Sequence, residues 1–393
     1  MRQIYIFLII GLTLLLLSAG CRQGRVATAA FEGDTLRMKY AGNIVITRDS
    51  TLTKVELRNP WGEGVLHRYW LVPRDADGDF SSLEGTVVRV PLRRSVVFNT
   101  AHASLLLMLK ADEAIVGVAD LKYMLLPEIH RRVALGKGTE DSENGFFGRK
   151  NGPIVDCGDA MAPDIEQIAD LEADAILLSP FENSGGYGNL EKLGVPLVEC
   201  AEYMETSALG RAEWMRFYGL LYGCEARADS LFAEVEREYL ETKVSGSGQR
   251  GAKLSMLTER LTGNTWYVAG GRSSVARLIA DAGGDYAWAT DRHSGSLPLS
   301  FETVLDKAAD ADVWIFNDVG STPPTRRKLA AEHHGYTAFK AFRDANVYYV
   351  NSMQVPYFEQ VTFRPDWLLR DYVILLNPER QGDSLRYFKK IEP

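Results

Sequence analysis

Two series of strand-like and helical segments alternate along the chain, and one long amphipathic segment separates the two series. The strand-like runs lie at 96–98, 115–118, 154–156, 175–178 and 196–198, then at 253–257, 265–268, 286–289, 313–316 and 347–350. Strands separated by helices indicate βαβ units and a largely parallel sheet. Residues 226–244 carry apolar side chains at helical spacing. The pattern therefore predicts an α/β fold with two doubly wound lobes joined by one long helix.

The residues that precede the first series have a different hydropathy pattern. Between 21 and 91 apolar and polar side chains alternate, as at 36–40, and turn sequences such as 75–78 interrupt them. Such alternation is typical of short antiparallel strands. We predict a β-rich N-terminal extension at 21–91, with the two α/β lobes at 92–225 and 245–393.

The first twenty residues have the pattern of a secretory signal. Arg2 precedes an apolar run from Ile4 to Leu17, which is shorter than the ~20 apolar residues that a transmembrane helix needs. The small residues that follow end on Cys21, as in a lipobox, although Ser18 stands where Leu is commonest. We predict a lipoprotein signal peptide at 1–20 and lipid attachment at Cys21. Ordinary secretion with a free Cys21 is the alternative.

Charge, cysteine content and missing motifs exclude several classes of protein. The formal net charge is −8 and no run of Lys and Arg occurs, so no nucleic acid partner is expected. Four cysteines in 393 residues cannot form a disulfide scaffold, and we predict that Cys157, Cys200 and Cys224 are small buried residues. The chain has no G-x-S-x-G, H-E-x-x-H or Walker-type sequence. We therefore predict neither an enzyme nor a bound cofactor.

The histidines argue against a bare metal site. A metal ion needs three or four His, Asp or Glu side chains that converge on one point. Only His102 follows a predicted strand end where a cleft between the lobes would lie, and His333 and His334 belong to a charged helical segment. We predict no metal site.

The two lobes share a local pattern. Residues 165–178 and 301–316 each begin with an apolar residue and a Glu, and each continues through a helical stretch and Ala-Asp-Ala into an apolar strand. Glu166 and Glu302 therefore occupy equivalent places. Burial imposes a similar pattern on many αβ units, so a chance origin remains the alternative.

Several short segments carry a resemblance to a known family. They are FNTAH at 98–102, AIVGV at 114–118, PDIE at 163–166, GRAEW at 210–214, GGRSS at 270–274, DAGGDY at 281–286 and RPDW at 364–367. In this order, and with the signal and the paired Glu residues, the chain resembles the substrate-binding proteins of ABC importers. It is similar to the helix-bridged class that binds ferric siderophores, haem or cobalamin. The resemblance covers most of residues 92–380, and the extension at 21–91 lies outside it.

The resemblance implies a function and a set of partners. The protein would capture an iron-siderophore, haem or corrinoid ligand between its lobes and deliver it to an ABC permease dimer. Glu166 and Glu302 match the acids that dock each lobe on the permease. The resemblance also implies a monomer in the cell envelope, facing the periplasm and held to the membrane through its N-terminal lipid.

A cleft for a large, flat, partly apolar chelate needs aromatic surface and a few basic groups. Arg272 and Arg364 are predicted to pair with ligand carboxylates, because a guanidinium binds a carboxylate through two hydrogen bonds. The other predicted ligand-binding residues lie at strand ends and in loops: His102, Phe146, Phe147, Tyr187, Trp266, Tyr357 and Phe358. Two alternatives stay open. One is an enzyme on a related two-lobe scaffold with His102 as a catalyst, and the other is an envelope interaction protein without a small-molecule ligand.

Overall fold

A computed structural model describes residues 31, 33–136, 152–182, 186–247, 253–380 and 382–393. The predicted signal peptide, Cys21, Phe146 and Phe147 lie outside the described residues. In chain order the described residues form an N-terminal sheet, a first α/β lobe, one long helix and a second α/β lobe. The α/β class and the two helix-bridged lobes are thereby confirmed. No helix within the described ranges has both the length and the apolar character that a membrane span requires.

The N-terminal sheet is five-stranded and its strands follow the chain order. The strands are β1 (Asp34–Leu36), β2 (Ile44–Arg48), β3 (Thr53–Arg58), β4 (Val65–Pro73) and β5 (Thr86–Val90). Neighbours pair antiparallel except β4 and β5, which are parallel. Val55 and Leu57 on β3 are fully buried while Glu56 between them is not, as expected of a sheet with one face on a core. That face joins the core of the lobes.

The first lobe is built on a parallel sheet. Its strands are β6 (Ser95–Val97), β7 (Ile115–Val118), β8 (Val155–Asp156), β11 (Ala175–Leu178) and β12 (Leu197–Glu199), in the order β12-β11-β6-β7-β8, and a small hairpin is formed by β9 (Gly158–Asp159) and β10 (Ala162–Pro163). Its helices are α1 (Thr100–Leu109), α2 (Pro127–Gly136), α3 (Ile165–Asp170), α4 (Ala208–Glu213) and α5 (Met215–Tyr222). Parallel strands place all their carboxyl ends at one edge of the sheet.

The second lobe contains two sheets. Strands β13 (Met256–Thr258), β17 (Val313–Asp318) and β18 (Val347–Asn351) run parallel, with β19 (Lys389–Lys390) antiparallel at the edge; β14 (Leu261–Thr262), β15 (Thr265–Ala269) and β16 (Ser296–Leu299) form a separate antiparallel sheet. The helices are α7 (Ser274–Asp281), α8 (Phe301–Ala308), α9 (Arg326–Glu332), α10 (Lys340–Arg343), α11 (Tyr357–Gln360) and α12 (Pro365–Leu375).

Helix α6 (Glu225–Ser247) joins the lobes and packs against α5 of the first lobe and α12 of the second. Its buried side chains are Ala228, Phe232, Val235 and Tyr239. They recur every three or four residues and therefore lie on one face of the helix. With 23 residues, α6 is about 35 Å long at 1.5 Å per residue.

One predicted strand is absent from the described second lobe. Residues 286–289 form a turn in which the Ala289 N–H donates to the Tyr286 carbonyl, and only Asp285 makes an isolated bridge, to Ser255. Tyr286 and Trp288 are buried and their rings contact each other. A short apolar run can be a buried turn as well as a strand, because periodicity alone does not distinguish them.

A candidate ligand-binding cleft between the lobes

The carboxyl ends of the parallel strands of both lobes border one inter-lobe cleft. Two cavities of about 430 and about 330 Å³ share Tyr203, Phe358 and Thr362 in their walls. Tyr203 follows β12 of the first lobe, whereas Phe358 and Thr362 belong to the second. In open α/β sheets ligands bind outside the carboxyl ends of the strands, and these volumes are in the range of small-molecule pockets.

Aromatic side chains from both lobes line the cleft. Tyr203 faces Tyr267, Tyr357 and Phe358 across the larger cavity. Tyr267 and Phe358 are 47% and 50% exposed, and the rings of Tyr357 and Phe358 meet edge to face at 5.3 Å. Such surfaces suit a flat or partly apolar ligand, because aromatic rings offer large contact area.

The phenol groups of Tyr203 and Tyr357 are protonated at neutral pH. Burial, together with the charge of Glu202, raises the pKa of Tyr203 to about 12, and burial also raises the pKa of Tyr357. The Tyr203 hydroxyl donates to the Pro180 carbonyl at 2.5 Å. Tyr203 and Tyr357 therefore offer a ligand neutral phenols rather than phenolates.

Arg211 of α4 supplies a cation on the first-lobe wall. Its Nε donates to the Glu205 carbonyl at 3.2 Å and its Nη2 to the Tyr203 carbonyl at 2.5 Å. Burial lowers the pKa of Arg211, and the charges of Glu202 and Glu205 oppose that effect. The guanidinium is thus fixed in orientation by two main-chain oxygens.

The opposite wall offers acceptors. The side-chain oxygen of Asn317, at the end of β17, is enclosed and has no hydrogen-bond partner within the described residues, and Asn317 lines the larger cavity. Glu259 follows β13 with φ of 64°, a left-handed conformation that non-glycine residues rarely adopt. Burial raises the pKa of its carboxyl group. A ligand with hydrogen-bond donors on this side would satisfy Asn317.

His102 lies behind the cleft instead of lining it. Its side chain is fully buried in α1, and Nε2 is 2.8 Å from Oε1 of Glu202, which borders the smaller cavity. His102 can therefore reach a ligand only through Glu202, and the expectation of a direct contact is corrected.

Trp266 is a core residue. It is fully buried, its indole N–H donates to the Thr258 carbonyl at 2.9 Å, and its ring packs on Trp314 and Phe339. Side chains alternate along a strand, so on β15 Trp266 points into the core and Tyr267 points into the cleft. The aromatic residue of β15 that lines the cleft is therefore Tyr267 and not the predicted Trp266.

Arg364 connects two helices and leaves no free face for a ligand carboxylate. It forms ion pairs with Asp366 at 2.6 Å and with Glu234 and Glu238 of α6 at 3.0 Å each. Its guanidinium also lies 4.0 Å from the centre of the Trp367 ring. The expectation of a ligand contact is corrected, because the N–H groups of the guanidinium are already bonded to these three carboxylates.

Tyr187 and Arg272 lie away from the two cleft cavities. The Tyr187 hydroxyl donates to Oε1 of Glu199 at 2.7 Å, and both residues line a different cavity against His67 of the N-terminal sheet. Arg272 is exposed in the turn before α7, where its main-chain N–H donates to the His293 carbonyl. Tyr357 and Phe358 are thus the predicted residues that the structure brings together in the cleft.

Glu166 and Glu302 occupy equivalent positions on exposed surface. Each lies in the first turn of a helix whose cap is a side chain, Asp164 for α3 and Ser300 for α8. The hydrogen bond that the Glu302 carboxylate accepts from its own main-chain N–H, together with that to Ser300, lowers the pKa of Glu302. Their docking role stays a prediction.

No group of three His, Cys, Asp or Glu side chains in the described ranges is placed to hold a metal ion. The cleft is equipped to bind a ligand. It offers rings, one oriented cation and an acceptor that lacks a donor.

The fold and this cleft define a two-lobed binding protein. The sequence model of the periplasmic binding protein family matches residues 96–353, and the chain belongs to this family. The N-terminal sheet precedes the matched range.

The chain is also similar to individual proteins of known sequence or structure. An uncharacterized lipoprotein of Methanocaldococcus jannaschii is 25% identical over 77% of this chain and 70% of its own length. A periplasmic haem-binding protein from Pseudomonas aeruginosa superposes with a TM-score of 0.54 at 15% identity, over 77% of this chain and 99% of its own. The catecholate-siderophore binding protein of Vibrio cholerae gives 0.51 at 16% identity, over 72% and 93%. At these identities the structural likeness concerns the fold.

Proposed function

We propose that this protein is the lipid-anchored substrate-binding component of an ABC importer and captures an iron chelate, either a ferric siderophore or haem, or a corrinoid. The observation that carries the proposal is the aromatic cleft between the lobes. Tyr203 comes from the first lobe, and Tyr267, Tyr357 and Phe358 come from the second. A ligand between them is held from both sides, so binding couples the lobes.

The chemistry of the walls supports a large chelate with polar groups at its edge. Arg211 on one wall suits a carboxylate or another anionic oxygen, and the enclosed oxygen of Asn317 on the other requires a donor. Family members of this fold are described as binding haem or a catecholate siderophore. Haem and ferric siderophores combine a broad face with such polar edges.

The lipid anchor and the permease belong to the same proposal. Cys21 follows the signal-like segment at its small-residue end, and a relative is named a lipoprotein. A lipid chain at Cys21 would hold the protein at the membrane. Glu166 and Glu302 would then each meet one half of the permease dimer.

The test is to identify what the protein holds. Mass spectrometry of the purified full-length protein under native conditions should show a chelate in the cleft. The emptied protein should then bind one of four probes by absorbance titration: haemin, a ferric trihydroxamate, a ferric tricatecholate or cyanocobalamin.

A pair of matched variants separates cleft binding from non-specific adsorption. Phe358→Ala removes an exposed cleft ring and should weaken binding by about 1 to 3 kcal/mol. Phe80→Ala removes a ring of the N-terminal sheet that packs on Arg89 and should leave affinity unchanged. No retained chelate and no bound probe, or equal losses in both variants, would refute the proposal.

A further inference from the structure

Two buried glutamates of the first lobe are bonded to a loop of the N-terminal sheet. Glu213 is 0% and Glu205 is 4% exposed. Glu213 accepts the main-chain N–H groups of Lys39 at 2.8 Å, Tyr40 at 2.7 Å and Ala41 at 2.9 Å. Glu205 accepts those of the next residues in the chain, Gly42 at 3.0 Å and Asn43 at 2.8 Å. We call residues 39–43 the bracing loop.

The bracing loop satisfies carboxylates that the lobe alone leaves under-bonded. Within the lobe, Glu205 also accepts from the Trp214 indole at 3.0 Å, and Glu213 pairs with Arg216 at 3.5 Å. A buried carboxylate is stable only when charged hydrogen bonds replace its water. Consecutive N–H groups of one loop provide most of these bonds.

The same glutamates flank the cation of the cleft. Glu213 belongs to α4, and Arg211 of α4 donates to the main-chain carbonyl of Glu205. The loop also touches α4 directly, since a Cβ added at Gly210 would lie 3.0 Å from the Tyr40 carbonyl oxygen. A shift of the bracing loop would therefore move the helix that carries Arg211.

We propose that the bracing loop is a positioning element of the ligand cleft, which fixes α4 and Arg211 through Glu205 and Glu213. The N-terminal sheet is then part of the binding apparatus, although the family match begins only at residue 96. The inference rests on the proposed function only for the statement that the cleft holds a ligand. The bracing itself is a property of the unliganded protein.

The first test is hydrogen exchange of the unliganded full-length protein. Glu213→Gln, and independently Glu205→Gln, keep the side-chain size but weaken charged hydrogen bonds. Main-chain amides of 202–214 should then exchange about tenfold faster. Glu56→Gln is the matched control, because Glu56 of β3 pairs with Lys54 and Arg68 within the N-terminal sheet and is bonded neither to the bracing loop nor to α4. Unchanged exchange at 202–214 in Glu213→Gln and Glu205→Gln would overturn the proposal, as would an equal increase in the control.

The second test asks whether the brace acts through Arg211. Haemin carries two carboxylates and is the probe. Glu213→Gln should weaken haemin binding about tenfold in the native background and not at all in an Arg211→Gln background, because contacting groups are not additive. An undiminished loss in the Arg211→Gln background would show general damage to the fold and refute the positioning role.

The two arms also separate this inference from the proposed function. A wild-type protein that binds no haemin speaks against a haem ligand, and the exchange measurement then decides the brace by itself. If either variant fails to fold, which the circular dichroism spectrum shows, the other one carries the test.

Discussion

At the residue scale, the contents of the cleft depend on which face of β15 a side chain occupies. Trp266 and Tyr267 are neighbours in sequence, yet one is fully buried and the other is 47% exposed. The sequence predicts an aromatic contact from this strand but does not tell which of two adjacent rings makes it. The register of β15 is set by its pairing with β16, a contact that no local pattern specifies.

Substitutions at these two positions should have opposite consequences. Trp266→Ala should lower the free energy of unfolding by about 3 to 5 kcal/mol, because it leaves a cavity among packed rings. Tyr267→Ala should leave the free energy of unfolding within about 1 kcal/mol of wild type and weaken ligand binding instead. Urea unfolding and titration with the retained ligand measure the two effects. Equal destabilisation by both variants would contradict the assigned faces.

The raised pKa of Tyr203 predicts a loss of stability in alkaline solution. Its pKa is 10.0 in the reference state and about 12 in the folded protein, so the unfolded chain releases the proton first. The stabilisation is complete below pH 10 and is lost as the pH rises towards 12. Tyr203→Phe should reduce the slope of unfolding free energy against pH in this window. An unchanged slope would mean that Tyr203 titrates normally.

At the element scale, the sequence predicts the bridging helix but not the ion pairs that attach it to the second lobe. Apolar spacing alone predicts an amphipathic helix at 226–244, and α6 occupies Glu225–Ser247. On its charged face, Glu234 and Glu238 bind Arg364 of the second lobe. These partners are separated by more than a hundred residues in the sequence, so no local pattern of residues predicts that they pair.

The Arg364 network should support the junction of α6 and the second lobe. Arg364→Leu should cost about 3 to 5 kcal/mol of stability, because it leaves Asp366, which is 2% exposed, buried without a counter-ion. Adding Asp366→Asn should recover part of the loss. Arg327→Leu on α9, an exposed residue outside this network, is the control and should change stability by less than about 0.5 kcal/mol. Thermal unfolding of the four proteins would decide, and a control as damaging as Arg364→Leu would argue against the network.

At the scale of the whole molecule, the docking prediction rests on the similarity of the two lobes, each of which carries one exposed Glu at the same place. Glu166 and Glu302 lie in corresponding first turns, one in each lobe. Both were located by the repeated pattern, because a helix start is a local signal that the sequence specifies well. Residues of the cleft such as Arg211 and Asn317 come from distant segments, so only the folded chain brings them together.

The double variant Glu166→Ala with Glu302→Ala should abolish most ligand uptake by cells while affinity for the ligand stays unchanged. Both acids are exposed, so their removal leaves the core intact. The exposed pair Glu113→Ala with Glu379→Ala, again one in each lobe, is the control and should transport normally. Normal uptake by the first double variant would leave the two acids with only their favourable interaction with the helix dipoles.

A second inter-lobe contact limits how far the lobes can close. Glu359 of α11 is 1% exposed and inserts into the first lobe, where it accepts from the Thr100 hydroxyl at 3.0 Å and from the Leu125 N–H at 2.8 Å. This contact adds to the attachment that α6 provides between the lobes. A hinge motion would have to break the buried carboxylate contacts, which are worth about 1.5 to 3 kcal/mol each.

Ligand binding should therefore change the radius of gyration very little in small-angle scattering. Glu359→Ala removes one attachment, so we expect lower stability by about 1 to 3 kcal/mol and a measurable decrease in radius when ligand binds. Glu359→Gln can still accept both hydrogen bonds and should behave like wild type. A large closure in the wild-type protein would contradict the rigid attachment. Equal closure in wild type and Glu359→Ala would instead assign the restraint to the contacts that both proteins share, which are those of α6 and of α4 with the second lobe.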